Sequence, residues 1–220
     1  MELLKQFLDF FLHAETHLVW FIQNYGLGIY ALLFAIIFCE TGLVVTPFLP
    51  GDSLLFAVGA LAARPDMGLR VEIITPLLLA AAIFGDSVNY SIGKWFGPRI
   101  FQMESNRFFN RDHLVKAHAF YEKYGGRAII LARFVPIVRT FAPFVAGVGT
   151  MDYRKFFFYN VTGAILWIGI FIVAGHAFGN MPFVQKNIKV VILGIIIVSV
   201  LPIAWEVIKA RKEKRSKAST

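Results

Sequence analysis

The stretch GGRAIILARFVPIVRTFAPFVAGVGT, residues 125–150, decides how the chain can fold. It is apolar enough for a bilayer, yet it carries Arg133, Arg139, Pro136 and Pro143. A proline inside a helix removes an internal hydrogen bond, and an arginine is expensive in hydrocarbon. An uninterrupted spanning helix tolerates neither feature well. The segment is therefore expected to re-enter, broken at Pro136 and Pro143, and to be buried among protein helices rather than face lipid. Such segments build polar sites at membrane depth, and this one is read as half of such a site.

The composition agrees. Hydrophobic residues make up 57% of the chain and charged residues 16%, with a mean hydropathy of +0.64, whereas a soluble domain carries about a quarter charged residues. An integral membrane protein follows. A hydrocarbon core of ~30 Å takes ~20 residues per helix, so the chain has room for a handful of spans in one bundle. Cys39, the single cysteine, lies in an apolar run and reads as a buried small hydrophobe rather than a reactive thiol.

Outward from the opening stretch, the chain divides into six parts. Residues 1–24 are predicted as an amphipathic helix, because Leu3, Leu4, Phe7, Leu8, Phe11 and Leu12 recur at helical spacing. A helix packed on the bundle fits that spacing equally. Glu15, His13 and His17 interrupt the apolar run, which argues against a cleavable signal. Residues 25–97 form a first half: a span with Glu40, a second re-entrant hairpin over 47–63 opened by Pro47, Pro50 and Gly51, and a span with Asp86, Asn89 and Lys94. Residues 98–126 are a basic linker helix. Residues 127–179 form a second half, the hairpin 127–150 followed by a span. A last span covers 187–208, and a basic tail 209–220 ends the chain.

Of the formal net charge of +8, most lies in three places: the linker, Arg154-Lys155 and the tail from Lys209. They fall on one side of the membrane only if both short segments re-enter, which gives four spans, two hairpins and cytoplasmic termini.

The two hairpins resemble each other. Phe48-Leu49-Pro50 matches Phe134-Val135-Pro136, and an ionisable residue follows each, Asp52 in one and Arg139 in the other. Val58-Gly59 corresponds to Ala146-Gly147. Each half then closes on Gly-x-x-Phe-Gly, at Gly93–Gly97 and Gly175–Gly179. With one hairpin entering from each side, the halves are inverted, an arrangement recurrent in secondary transporters. The expected fold class is an all-α polytopic membrane protein built as an inverted repeat, with an extra C-terminal span.

Phe48-Leu49-Pro50-Gly51-Asp52-Ser53, the preceding Glu40, Gly85-Asp86 with Tyr90, and the run Arg133 to Thr140 resemble the DedA family of bacterial inner-membrane proteins. The resemblance spans essentially the whole chain. It implies a polytopic fold with two re-entrant hairpins. It also implies transport of lipid head groups, notably recycling of undecaprenyl phosphate, that depends on the proton-motive force. Eukaryotic relatives are lipid scramblases.

Five ionisable residues lie in apolar segments: Glu40, Asp52, Asp86, Arg133 and Arg139. At ~2.5–3.5 kcal/mol each, leaving all five unpaired would cost more than roughly 12 kcal/mol, the scale of a whole fold's stability. They must pair, face water, or both. Three acids against two arginines leave one negative charge in excess, which a retained proton would cancel. The arginines read as a phosphate clamp, since guanidinium is planar, multiply donating and permanently charged. Helix N-termini at Pro136 and Pro143 would add backbone donors, with Thr140 and Ser53 alongside. The plainer reading has the arginines only neutralising Glu40 and Asp52. Those two acids are the candidates for proton coupling. Asp86, Asn89 and Tyr90 share a helical face that is either a polar lining or an inter-helix seam. Asn160 and His176 read as satisfying helix partners, and Trp95 and Trp167 as packing or interfacial anchors.

No metal-ligand spacing, nucleophile–base arrangement or phosphate-cradling loop is present in the sequence, so no cofactor, metal or enzymatic activity is expected. The expected partners are membrane lipids, anionic or polyprenyl phosphate, and protons, but not nucleic acid. A homo-oligomer is compatible with the sequence. The preferred function is a flippase for an anionic lipid in the bacterial inner membrane. The alternatives are a proton-coupled antiporter of small cations or drugs, and an intramembrane lipid phosphatase or transferase.

Overall fold

In a computed structural model, the described residues are 14–43, 51–97, 124–149 and 151–182, with Glu122, Val184, Asn187, Val190, Val191 and Gly194. They are helical apart from turns: α1 (Ala14–Tyr25), α2 (Gly28–Gly42), α3 (Gly51–Ala62), a 3-10 turn (Pro65–Met67), α4 (Val71–Phe96), α5 (Arg127–Ala132), α6 (Pro136–Val148) and α7 (Tyr153–Gly179). Pro47 and Pro50 lie outside the described residues. So do residues 1–13, Thr150, nearly all of the linker 98–126 and, apart from scattered positions, the C-terminal segment and tail.

At 1.5 Å per residue, the 26 residues of α4 and the 27 of α7 reach about 40 Å, enough to cross a ~30 Å core. Both are apolar along their length. α2, predicted as a span over residues 26–45, is a helix of only 15 residues whose end at Leu43 turns extended. It measures about 22 Å. α3 and α6, with 12 and 13 residues, are shorter still. The outward faces of the two long helices carry exposed Phe84, Val88 and Trp95, and Phe158, Ile165, Ile170 and Val173. Apolar faces of that extent belong against acyl chains.

The prolines of the opening stretch act differently from each other. The chain turns over Arg133–Val135, and Pro136 occupies the first turn of α6, where its missing N–H is no loss. Pro143, expected as a second break, stays inside a continuous helix. It withholds one bond from Arg139's carbonyl without stopping the helix, since surrounding elements pack α6 on nearly every side: Phe141 through Val148 are all buried.

Packing crosses between the halves. α3 lies on α7 and α6 lies on α4, while α4 and α7 touch each other and α2 lies on α4. The contacts match in kind. A Cβ on Gly59 would run into the carbonyl of Ile172, and one on Gly175 into that of Phe56. In the other half, a Cβ on Gly147 would meet the carbonyl of Tyr90, and one on Gly93 that of Phe144. Small residues thus let each short helix approach a long one backbone to backbone, the usual device for helix association in lipid. Gly42 and Gly85 do the same where α2 crosses α4. The aliphatic core gathers around Leu33, Ile37, Leu55, Leu78, Ile168 and Ile172.

Candidate functional site

Glu40 lies in the last turn of α2, Asp52 is the second residue of α3, Asp86 sits mid-α4, Arg133 follows α5 and Arg139 is the fourth residue of α6. The fold brings all five together. They are 1%, 8%, 2%, 2% and 4% exposed respectively, so pairing rather than water must satisfy them.

Arg139 forks across two helices. Its Nη2 donates to Glu40 Oε1 at 2.5 Å and its Nη1 to Asp52 Oδ1 at 2.8 Å. Glu40 Oε1 also accepts the backbone N–H of Gly51 at 3.2 Å. That approach explains Gly51, because any Cβ there would collide with the Glu40 carboxylate. The glycine that opens α3 thus lets a charge touch a backbone. Asp52, in the first turn of α3, lies at the helix end that favours a negative charge.

Arg133 forms a separate set. Its Nη2 donates to Asp86 Oδ2 at 2.5 Å and to Asn160 Oδ1 at 2.6 Å, and Asn160 Nδ2 donates to the Ile83 carbonyl at 3.1 Å. The reading in which both arginines neutralise Glu40 and Asp52 is thus corrected: only Arg139 does. Asp86 belongs to the ion-pair system itself. It could not be assigned from the sequence because α4's register against α5 and α7 is set by packing. Gly163 lies under Arg133, where an added Cβ would be 3.1 Å from both Cδ and Nε.

Trp167 joins the two sets. Its Nε1 donates to Asp52 Oδ1 at 2.8 Å. The guanidinium carbons of Arg139 and Arg133 lie 5.0 Å and 5.7 Å from its ring centroid, within cation–π reach. Trp167 is fully buried. Reading it as a packing or interfacial anchor did not foresee these polar contacts, whereas Asn160 does satisfy helix partners, Arg133 among them. The available signal was their spacing: Asn160, Gly163 and Trp167 fall on one face of α7 at helical intervals.

The remaining candidates divide. Asn89 Nδ2 bridges the carbonyls of Thr41 (3.1 Å) and Thr140 (2.8 Å), stitching α4 to α2 and α6. It serves as a seam. Tyr90 donates its hydroxyl to the Met151 carbonyl and stacks on Phe156, as a buried member of the second core cluster. Ser53 and Thr140 are buried beside Asp52 and Arg139 in sequence. His176 is exposed near the end of α7.

Several buried polar atoms make no hydrogen bond: Glu40 Oε2, Asp86 Oδ1, Asn89 Oδ1, Arg139 Nε, and both Nε and Nη1 of Arg133. Buried donors without acceptors are costly and rare. Here they cluster on charged groups, leaving guanidinium donors able to take an anion and carboxylate oxygens able to take a proton.

A family profile described as the VTT domain matches residues 49–177. Protein DedA of Escherichia coli strain K12 is 55% identical over 212 residues, covering 96% of this chain and 97% of that protein. The chain belongs to the DedA family. It is also 34% identical to the inner membrane protein YqjA of E. coli K12, over 84% of this chain and 83% of that protein. An uncharacterized membrane protein of Mycobacterium leprae is 46% identical over 76% of this chain and 74% of its own length. No solved structure matches. Like the DedA-family relatives so named, this chain is a membrane protein.

Proposed function

We propose that this protein is a transporter, not an enzyme, that carries the head group of an anionic lipid between leaflets. The head group is that of a polyprenyl phosphate such as undecaprenyl phosphate, or of a glycerophospholipid, and the acyl or prenyl tail stays in the bilayer. The observation that carries the reading is a pair of buried guanidiniums with donors left unengaged, 5.0 Å and 5.7 Å from one indole. Guanidinium forks suit phosphate, and α6 begins beside them at Pro136, offering the positive end of a helix.

Proton coupling is the second part of the proposal. Three carboxylates surround two guanidiniums, and Glu40 uses Oε1 alone for both of its bonds. A phosphate that takes up an arginine leaves a carboxylate unpaired in low dielectric, and the proton is the smallest charge that can cure this. Glu40 and Asp52 are the proposed carriers. An inverted repeat with two re-entrant hairpins, built on α3 and on α5–α6, suits alternating access. The matched glycine contacts of the two halves support it. The YqjA name supports an inner-membrane location, and the basic segments support cytoplasmic termini.

A second reading has one observation in its favour. The excess carboxylate would equally suit a proton-coupled antiporter of small cations, with the arginines structural. Liposomes containing the protein and fluorescently labelled lipids separate the two. Lipid movement without chemical conversion is expected. Ion flux without lipid movement would leave the antiporter, and released phosphate would indicate a hydrolase.

A further inference from the structure

Resting on the anion reading of this site, we propose that the two arginines do unlike work: the phosphate is first received at Arg133 with Arg139 still bound to its acids, and the release of Glu40 or Asp52 to a proton belongs to a later step. Donor use differs first. Arg139 commits both terminal nitrogens to carboxylates on separate helices. Arg133 commits only Nη2, shared between Asp86 and Asn160, and leaves Nε and Nη1 without a partner. An anion can hydrogen-bond to Nε or Nη1 without first removing an acid, and it gains a two-point edge once Asn160 gives up Nη2.

Charge points the same way. Arg139 faces two carboxylates, and an arriving phosphate would be a third anionic group around one cation. Arg133 faces one carboxylate and one neutral amide. Asn160 carries no charge, so giving up its contact for a phosphate oxygen exposes no ion. Surroundings agree as well. Arg133 lies at the turn between α5 and α6, next to Phe134, which is 40% exposed. Arg139 is inside α6 between the buried Val138 and Thr140. Gly163 keeps the space beside Arg133 Nε open, since a Cβ there would sit 3.1 Å from that nitrogen.

Trp167, within cation–π range of both guanidiniums, supplies the readout. With Trp20, Trp95 and Trp205 changed to Phe, its emission in the purified full-length protein can be titrated with dihexanoyl phosphatidic acid and, separately, with inorganic phosphate. The first response alone marks a lipid head-group site, and both together mark a general phosphate site. Arg133→Gln is expected to weaken the titration at least ten-fold more than Arg139→Gln/Glu40→Gln, which removes one charge of each sign and leaves Asp52 with the Trp167 N–H. Gly163→Ala, a milder change, is expected to weaken it several-fold with little change in thermal stability. Asp86→Asn, which frees Arg133, is expected to tighten it. Equal losses at the two arginines, or a larger loss at Arg139, overturn the division while leaving the anion site standing. If the parent responds to neither probe, the anion reading fails and the division with it.

Discussion

Trp167 and Arg139 donate to the same oxygen, Asp52 Oδ1, each at 2.8 Å. One acid on α3 is therefore held at once by α6 and α7. Since the short helix of each half packs on the long helix of the other, this shared oxygen is where the two halves meet chemically as well as sterically.

Removing the indole N–H while keeping an aromatic ring separates the two roles of Trp167. Trp167→Phe deletes a hydrogen bond to a charged group and is expected to destabilise by about 1.5–3 kcal/mol. Trp167→Leu also removes the ring that both guanidiniums approach and is expected to destabilise further. Thermal unfolding in detergent, followed by circular dichroism, gives the order. Equal midpoints for the two variants would show that the ring face contributes nothing.

Asp86→Ala strands Arg133 without its carboxylate at a site 2% exposed. A destabilisation of about 3–5 kcal/mol is expected. Asp86→Ala/Arg133→Met removes both charges and is expected to recover most of it. A double variant as unstable as the single one would mean that the pair is not the source of the effect.

Gly93→Ala and Gly175→Ala each push a methyl into a facing carbonyl, that of Phe144 and of Phe56 respectively. Overpacking costs about 1–3 kcal/mol. The two losses are expected to be alike because the contacts are alike. A large loss at one position and none at the other would count against a repeat.

Charge alone does not make a phosphate clamp. Arg133→Lys and Arg139→Lys keep the charge and lose the planar fork, so both are expected to impair lipid movement in liposomes, Arg139→Lys also because one ammonium cannot bridge Glu40 and Asp52 in the same geometry. Normal rates in both variants would rule the clamp out.

Asp52→Asn keeps the shape of the side chain and removes its charge. Lipid transport is expected to fall, and what remains is expected to lose its pH dependence. Full transport with the parent's pH profile would sink proton coupling through this acid.

Much of this protein was legible before any coordinates. The five charges in apolar segments announced a shared buried site, because isolated charges at those depths have no affordable alternative. Lengths of apolar runs picked out the two long helices but also made a span of α2, which has only 15 residues, and the turn at Arg133–Val135 followed from a proline that can open a helix. Pro143 misled because tertiary packing on α6 outweighs one missing hydrogen bond.

Local sequence thus determined which residues had to be buried together and that α4 and α7 were long enough to cross. It could not determine who pairs with whom. Arg133 faces Asp86 and Asn160, and Trp167 reaches Asp52 across 115 positions, because the rotation and depth of each helix are set by glycine-mediated contacts with helices far away in the chain. Pairing among buried charges is a property of that register, and register exists only once the helices have packed.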